Sequence, residues 1–114
     1  MAFSTKAIAE CIEVQKINGH LGFSVWGGLD VDGNGNPFQP GKKGIFVLDV
    51  DQNGPASNSG IRKGDQILQI DGYDMTLATN KQQQTFKFLS VRSSQSKFCV
   101  HIFTCENFLN HAQK

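Results

Sequence analysis

A small, mainly antiparallel β-barrel or sandwich with two helices at its ends is the fold this sequence predicts. Five short runs rich in β-branched and aromatic residues outnumber two helical stretches. No regular strand–helix–strand alternation runs along the chain, which argues against a parallel sheet. The 114 residues suit one domain, and a hydrophobic fraction of 39% is enough for one modest core.

The elements follow in chain order. Ile12 and Val14 alternate with Glu13 and Gln15, the pattern of a half-buried strand. Phe23, Val25 and Trp26 follow a glycine turn and stop at Gly27-Gly28. The segment from Gly27 to Gly44 reads as a long loop. Gly33, Asn34, Gly35 and Asn36 offer positive-φ positions, and Pro37 and Pro40 forbid a central strand. Ile45-Phe46-Val47-Leu48 is the next strand, bounded by Gly44 and the polar stretch from Asp49 to Gly54. Pro55 to Ser59, with Pro at the start and Gly60 as the stop, fits a short helix. Ile67, Leu68 and Ile70 form another short strand, closed by the hairpin pair Asp71-Gly72. A longer helix runs from about Thr79 to Leu89. Thr79 suits the N-cap, Gln and Lys are good helix formers, and Phe86 and Leu89 share a buried face. Phe98, Val100 and Ile102 alternate with Cys99, His101 and Phe103 as the last strand.

Composition narrows the function. The net charge is +1 and no block of basic residues appears, which argues against a nucleic-acid stripe. The longest apolar runs fall far short of the ~20 residues of a membrane helix. Met1 to Glu10 is mixed and carries no apolar signal-peptide core. Cys11, Cys99 and Cys105 are odd in number and contain no C-x-x-C pair, so they read as buried reduced thiols, in keeping with a cytoplasmic home.

The informative stretch is Lys16-Ile17-Asn18-Gly19-His20-Leu21-Gly22-Phe23-Ser24-Val25. A basic residue precedes a turn that feeds a strand beginning Leu-Gly-Phe. A carboxylate needs several N–H donors converging on it, as in a backbone nest. Gly22 lets the chain turn its amides inward without a Cβ clash, making the amides of Leu21, Gly22 and Phe23 the donors. Leu21, Phe23 and Val25 alternate and so point to one face, where they can line a pocket for a ligand's last side chain. Trp26 points to the opposite face, covering the sheet or the long loop, or contacting upstream ligand residues with help from Phe38.

This stretch resembles the carboxylate-binding loop of PDZ domains, R/K-x-x-x-G-L-G-F, with His20 in place of the first Gly. Gly44-Ile45-Phe46-Val47, then Asn53-Gly54-Pro55-Ala56, then Gly60-Ile61-Arg62-Lys63-Gly64-Asp65-Gln66-Ile67-Leu68-Gln69-Ile70-Asp71-Gly72 resemble the family's central block, in order and at the expected distance. Leu21–Ser24, Gly27–Asp30, Asn36–Phe38, Lys43–Ile45 and Asp74–Thr76 look like a single-domain member of that family with a long loop before its third strand.

The resemblance implies a five- to six-stranded antiparallel β-barrel or sandwich capped by a short and a longer helix. It implies one domain over residues 8–105 with flexible ends at 1–7 and 106–114. The implied function is that of an adaptor, neither enzyme nor cofactor protein. It would bind the free C-terminal tails of membrane or cytosolic signalling proteins by strand addition between the second strand and second helix. Such a module is monomeric and cytoplasmic, reaches membranes only through partners, and competes with multi-domain scaffolds for tails. Leu21, Gly22, Phe23 and Lys16 are implied to hold the carboxylate. Ser24, Trp26, His20, Asn80, Gln84 and Lys87 are implied along the peptide strand. The family's second helix begins with His where Ser or Thr two residues before the C-terminus is selected. The match of Leu77-Ala78-Thr79-Asn80 puts Asn80 there. A strict count then brings Gln84 and Lys87 to the groove, whereas a shifted register brings Phe88 or Leu89 to its apolar pocket beside Leu21, Phe23 and Val25.

Calcium binding is the rival reading. Asp30 to Gly35 and Asp49 to Gly54 both fit the opening D-x-D-x-N-G of an EF-hand loop. The closing position, which needs a bidentate Glu, holds Gly41 in one and Gly60 in the other, so both read better as turns. Catalysis has little support: Gly22 to Gly27 is one residue too long for a G-x-S-x-G elbow, and His20, His101 and His111 lack metal-ligand spacing.

Overall fold

Apolar residues two apart set the strands, and the computed structural model describes them over residues 10–103, without the side chains of residue 10 and residues 88–91. β1 (Glu10–Gln15) buries Val14 and leaves Cys11, Glu13 and Gln15 exposed. β2 (Phe23–Gly28) and β3 (Gly44–Val50) flank the long loop. α1 (Pro55–Ser59) begins on its proline and is closed by Gly60, whose N–H meets the Ala56 and Ser57 carbonyls. β4 (Gln66–Ile70) and the two-residue β5 (Tyr73–Asp74) form a hairpin around Asp71-Gly72. α2 spans Asn80–Arg92, and β6 (Lys97–Phe103) buries Phe98, Val100 and Ile102 on one face.

The six strands make one antiparallel sheet in the order β1-β6-β4-β3-β2, with β5 paired to β4. Val14 of β1 and Leu21, next to β2, share one core with Ile45, Val47, Ile67, Ile70, Val100 and Ala56 of α1, so the two ends of the sheet wrap the same apolar centre. Burial of each such Val, Leu or Ile contributes about 1.5–3 kcal/mol. On the opposite face Trp26 packs against the fully buried Phe46, ring centroids 6.4 Å apart.

β2 ends the strand order, so its outer backbone edge is unpaired within the sheet, and α2 packs beside it. β3 carries an extra residue: Phe23 faces Val50 and Ser24 faces Asp49, but Val25 faces Val47. The unmatched Leu48 lies on β3, so the in-out alternation of β2 is uninterrupted and Phe23 and Val25 both reach the core side.

The long loop contains one 3-10 turn, Gly33–Gly35. Its organiser is Asn36, only 2% exposed, whose Oδ1 accepts from the Phe38 and Gln39 amides and whose Nδ2 donates to the Lys42 carbonyl. The acidic residues of the two Asp-rich turns accept backbone amides: Asp32 from Asn34, Asp30 from Asn80, and Asp49 from Val50.

The cysteines differ from expectation. Cys11 and Cys99 are joined in a disulfide between β1 and β6, Cα atoms 5.4 Å apart, on the sheet face away from the core. The two strands are neighbours, and the alternation that buries Val14 and Val100 brings both sulfurs to the other face, where Cys11 is exposed. Neither is a buried free thiol. Cys105, His111 and both terminal stretches fall outside the described residues.

Candidate functional site: a groove between β2 and α2

The turn before β2 is a tight hairpin. Asn18 and Gly19 have φ of 53° and 81°, the signature of a type I′ turn, and Ile17 and His20 exchange both backbone hydrogen bonds at 2.9 and 3.0 Å. From there three successive carbonyls are tied down. His20 O accepts from Ile17 N, Leu21 O from Ala56 N at 3.1 Å, and Gly22 O from Asp51 N at 2.8 Å. In a trans peptide the N–H points opposite to the preceding C=O, and no cis bond occurs among the described residues. Fixing those three carbonyls therefore fixes the N–H vectors of Leu21, Gly22 and Phe23, turned away from the turn, α1 and β3. Gly22 is required here: its φ is +84°, and a Cβ would lie 2.8 Å from Pro55 Cδ.

Beside these amides opens a cavity of about 200 Å³. Its β2 wall is Leu21, Phe23 and Val25, its floor Ile45, Ile67, Ile70 and Met75, and its α2 wall Gln83, Phe86 and Lys87. Asp49, Asp51 and His20 stand at the mouth. A shallower continuation runs along β2 past Ser24, Trp26, Gly27 and Val31, faced by Asn80 and Gln84.

The N-terminus of α2 is held by a capping box. The Thr79 hydroxyl accepts from Gln82 N, and Gln82 Oε1 accepts from Thr79 N. Asn80 N donates to Asp30 Oδ1, its Nδ2 donates to Gly27 O at 2.8 Å, and its Oδ1 accepts from Gln84 Nε2 at 2.6 Å. Asn80, Gln84 and Lys87 repeat at helical spacing and line the groove beside β2, while Gln83, Phe86 and Lys87 form the α2 wall of the apolar cavity. Lys87 Nζ donates to the Phe23 carbonyl at 2.9 Å and stands 5.9 Å from the Phe23 ring centre. Burial pushes its ammonium below the usual lysine value, with Asp51 opposing.

Of the residues named from sequence, Leu21, Gly22, Phe23, Ser24, Val25, Trp26, His20, Asn80, Gln84 and Lys87 line the groove. Lys16 is elsewhere: its ammonium donates to the carbonyl of Ser93, the C-cap of α2, at 2.5 Å and lies over the Phe98 ring. There a cation meets the negative end of the helix dipole. Phe38 lies against Gly64, and the Trp26 ring approaches Gly35. The side chains of Phe88 and Leu89 lie outside the described set. Sequence reasoning assigned neither Gln83, buried on α2, nor Phe86 to the pocket; both share the helical face of Lys87 and Asn80. It also missed the anchoring amides of Asp51 and Ala56, which no local pattern marks.

The family model for the PDZ domain matches residues 12–94. The chain belongs to the PDZ domain family. PDZ domains are non-enzymatic interaction modules that bind C-terminal peptides of partner proteins. Human Tax1-binding protein 3 is 41% identical over 95 residues, covering 78% of this chain and 75% of that protein. Human leucine-rich repeat-containing protein 7 is 51% identical over 63 residues, 55% of this chain but 4% of that much longer protein. The crystal structure of wild-type TIP-1 superposes with a TM-score of 0.73 at 32% identity, covering 96% of this chain and all of that one. These matches agree with the antiparallel six-stranded sheet and two helices and with the resemblance read from the Leu-Gly-Phe and Gly-Asp strings. The structure gives the second string a reason. Asp65, 2% exposed, accepts from Arg62 N, while its backbone and that of Gly64 exchange bonds with Val47.

Proposed function

We propose that this PDZ domain is an adaptor that captures the free C-terminal tail of a partner by adding it as a strand between β2 and α2. The observation that carries the reading is the row of three anchored carbonyls, which turns the Leu21, Gly22 and Phe23 amides to one side next to an apolar cavity. Backbone pairing along the open edge of β2 supplies affinity, and the cavity supplies selectivity for a final Val, Ile or Leu. This groove takes one tail at a time, so the domain by itself caps a tail and does not bridge two. On this reading the domain competes with larger scaffolds for the same tails. The direct test is an NMR titration with peptides ending in Thr-x-Val. Shifts are expected at residues 21–28 of the β2 edge and at residues 80–87 of α2. Shifts confined to the Cys11–Cys99 face would defeat the reading.

Selectivity two residues upstream is expected to be weak. Asn80 already donates to Gly27 O and accepts from Gln84, so a ligand hydroxyl there has to share an occupied amide. A neutral hydrogen bond contributes a net of about 0.5–1.5 kcal/mol, hence only a few-fold preference for Thr over Ala. Asn80→His is expected to widen that ratio. It should also introduce a pH dependence near neutrality that Asn80, which does not titrate, lacks. Paired Thr and Ala peptides titrated against both proteins at pH 6 and pH 8 measure it. An unchanged ratio would remove Asn80 from the selectivity site.

A further inference from the structure

We infer that Lys87 is the cation that meets the ligand's terminal carboxylate, and that it does so by letting go of the Phe23 carbonyl. This rests on the tail-capture reading and assigns the charge within it. The loop's own basic residue, Lys16, is engaged at Ser93 O and over the Phe98 ring, at the far end of α2. Lys87 instead lines the cavity, level with Phe23, its Nζ 2.9 Å from Phe23 O.

That carbonyl is contested. A strand residue points its N–H and C=O to the same edge, and a hydrogen bond from α2 reveals which edge: Phe23 O opens into the groove. An incoming strand needs this acceptor for its own last amide. The ligand N–H and the lysine therefore compete for Phe23 O, and a bound tail displaces the ammonium. Asp49 and Asp51 line the same cavity, so a third carboxylate arriving beside the Phe23 amide meets two negative charges. The released ammonium, on a flexible stem rooted one side chain away, is the group that offsets them. His20 is the other titratable group at the mouth. In this way Lys87 closes the empty groove and rewards a free acid when it opens.

The test is calorimetry with one peptide ending in Thr-Gly-Val, as free acid and as C-terminal amide, against the wild type, Lys87→Met, Lys87→Arg and Lys16→Met. The acid-to-amide affinity ratio of Lys87→Met is expected to fall roughly tenfold below the wild type, the size of one charged hydrogen bond. Lys87→Arg is expected to keep most of the ratio, which a packing role for the side chain alone would not require. Lys16→Met is expected to lower the melting temperature and leave the ratio in place. If Lys87→Met keeps the wild-type ratio, or if Lys16→Met loses it, the assignment to Lys87 is overturned while tail capture stands. A wild-type ratio near one overturns tail capture itself, and this inference with it.

Discussion

Amidating the C-terminus of a bound peptide is expected to weaken binding on the order of a hundredfold, two charge-assisted hydrogen bonds at about 1.5 kcal/mol each. The Leu21, Gly22 and Phe23 amides are immobilised from behind by bonds to the preceding carbonyls, so they present donors and no acceptor. A carboxylate offers lone pairs to all of them. A primary amide offers one oxygen and turns its own N–H donors toward the protein's donors. Nothing in the loop can rotate to accept, because rotating a peptide plane breaks a bond to Ile17, Ala56 or Asp51. Fluorescence polarisation with the paired peptides measures the effect, and equal affinities would remove the carboxylate from the recognition scheme.

Gly28→Ala is expected to damage both stability and binding. Gly28 has φ +145°, and a Cβ there would lie 2.3 Å from Asn80 N and 2.7 Å from Asn80 Cα. Those are backbone atoms in the first turn of α2, held by the capping box and by Asp30, so they do not yield as a flexible side chain would. The neighbouring Leu29 N–H to Ala78 O bond, at 2.8 Å, stitches the same two segments. The backbone conformation and the overpacking together cost roughly 2–5 kcal/mol. Relief requires α2 to move off β2, which breaks the Asn80–Gly27 bond and alters the groove width. A denaturant melt combined with a peptide titration reads both effects. An unchanged midpoint and unchanged affinity would show that the close approach of β2 and α2 does not constrain the groove.

Most of the fold was legible because its determinants are local. The in-out alternation around Val14, Val25 and Val100 marks strands, Pro55 and Gly60 bracket α1, and Thr79 with Gln82 builds the cap that starts α2. The loop before β2 was legible for the same reason, since Leu21-Gly22-Phe23 is a contiguous string. What stayed hidden depends on partners distant in sequence. Lys16 precedes the loop by only a few residues, yet the α2 C-terminus competes for its charge, and Ser93 is 77 positions away. The pairing of Cys11 with Cys99 follows from β1 lying beside β6, which no local pattern announces. Helix α2 runs three residues past the expected Leu89, to Arg92, because neither glycine nor proline interrupts it there and the break falls in the polar stretch that follows.

The Cys11–Cys99 bond also decides how the domain carries force. It spans 88 positions, so the whole groove, from the Leu-Gly-Phe loop to α2, lies inside a covalent ring. A pull applied through the segments before Cys11 and after Cys99 passes from β1 to β6 across the two sulfurs and never loads β2, β3 or α2. The groove then stays slack while the flanking chain is under tension. In a reducing compartment the thiols separate, and the same pull runs through the hydrogen bonds between β1 and β6, peeling the first strand from the sheet before the groove feels the load.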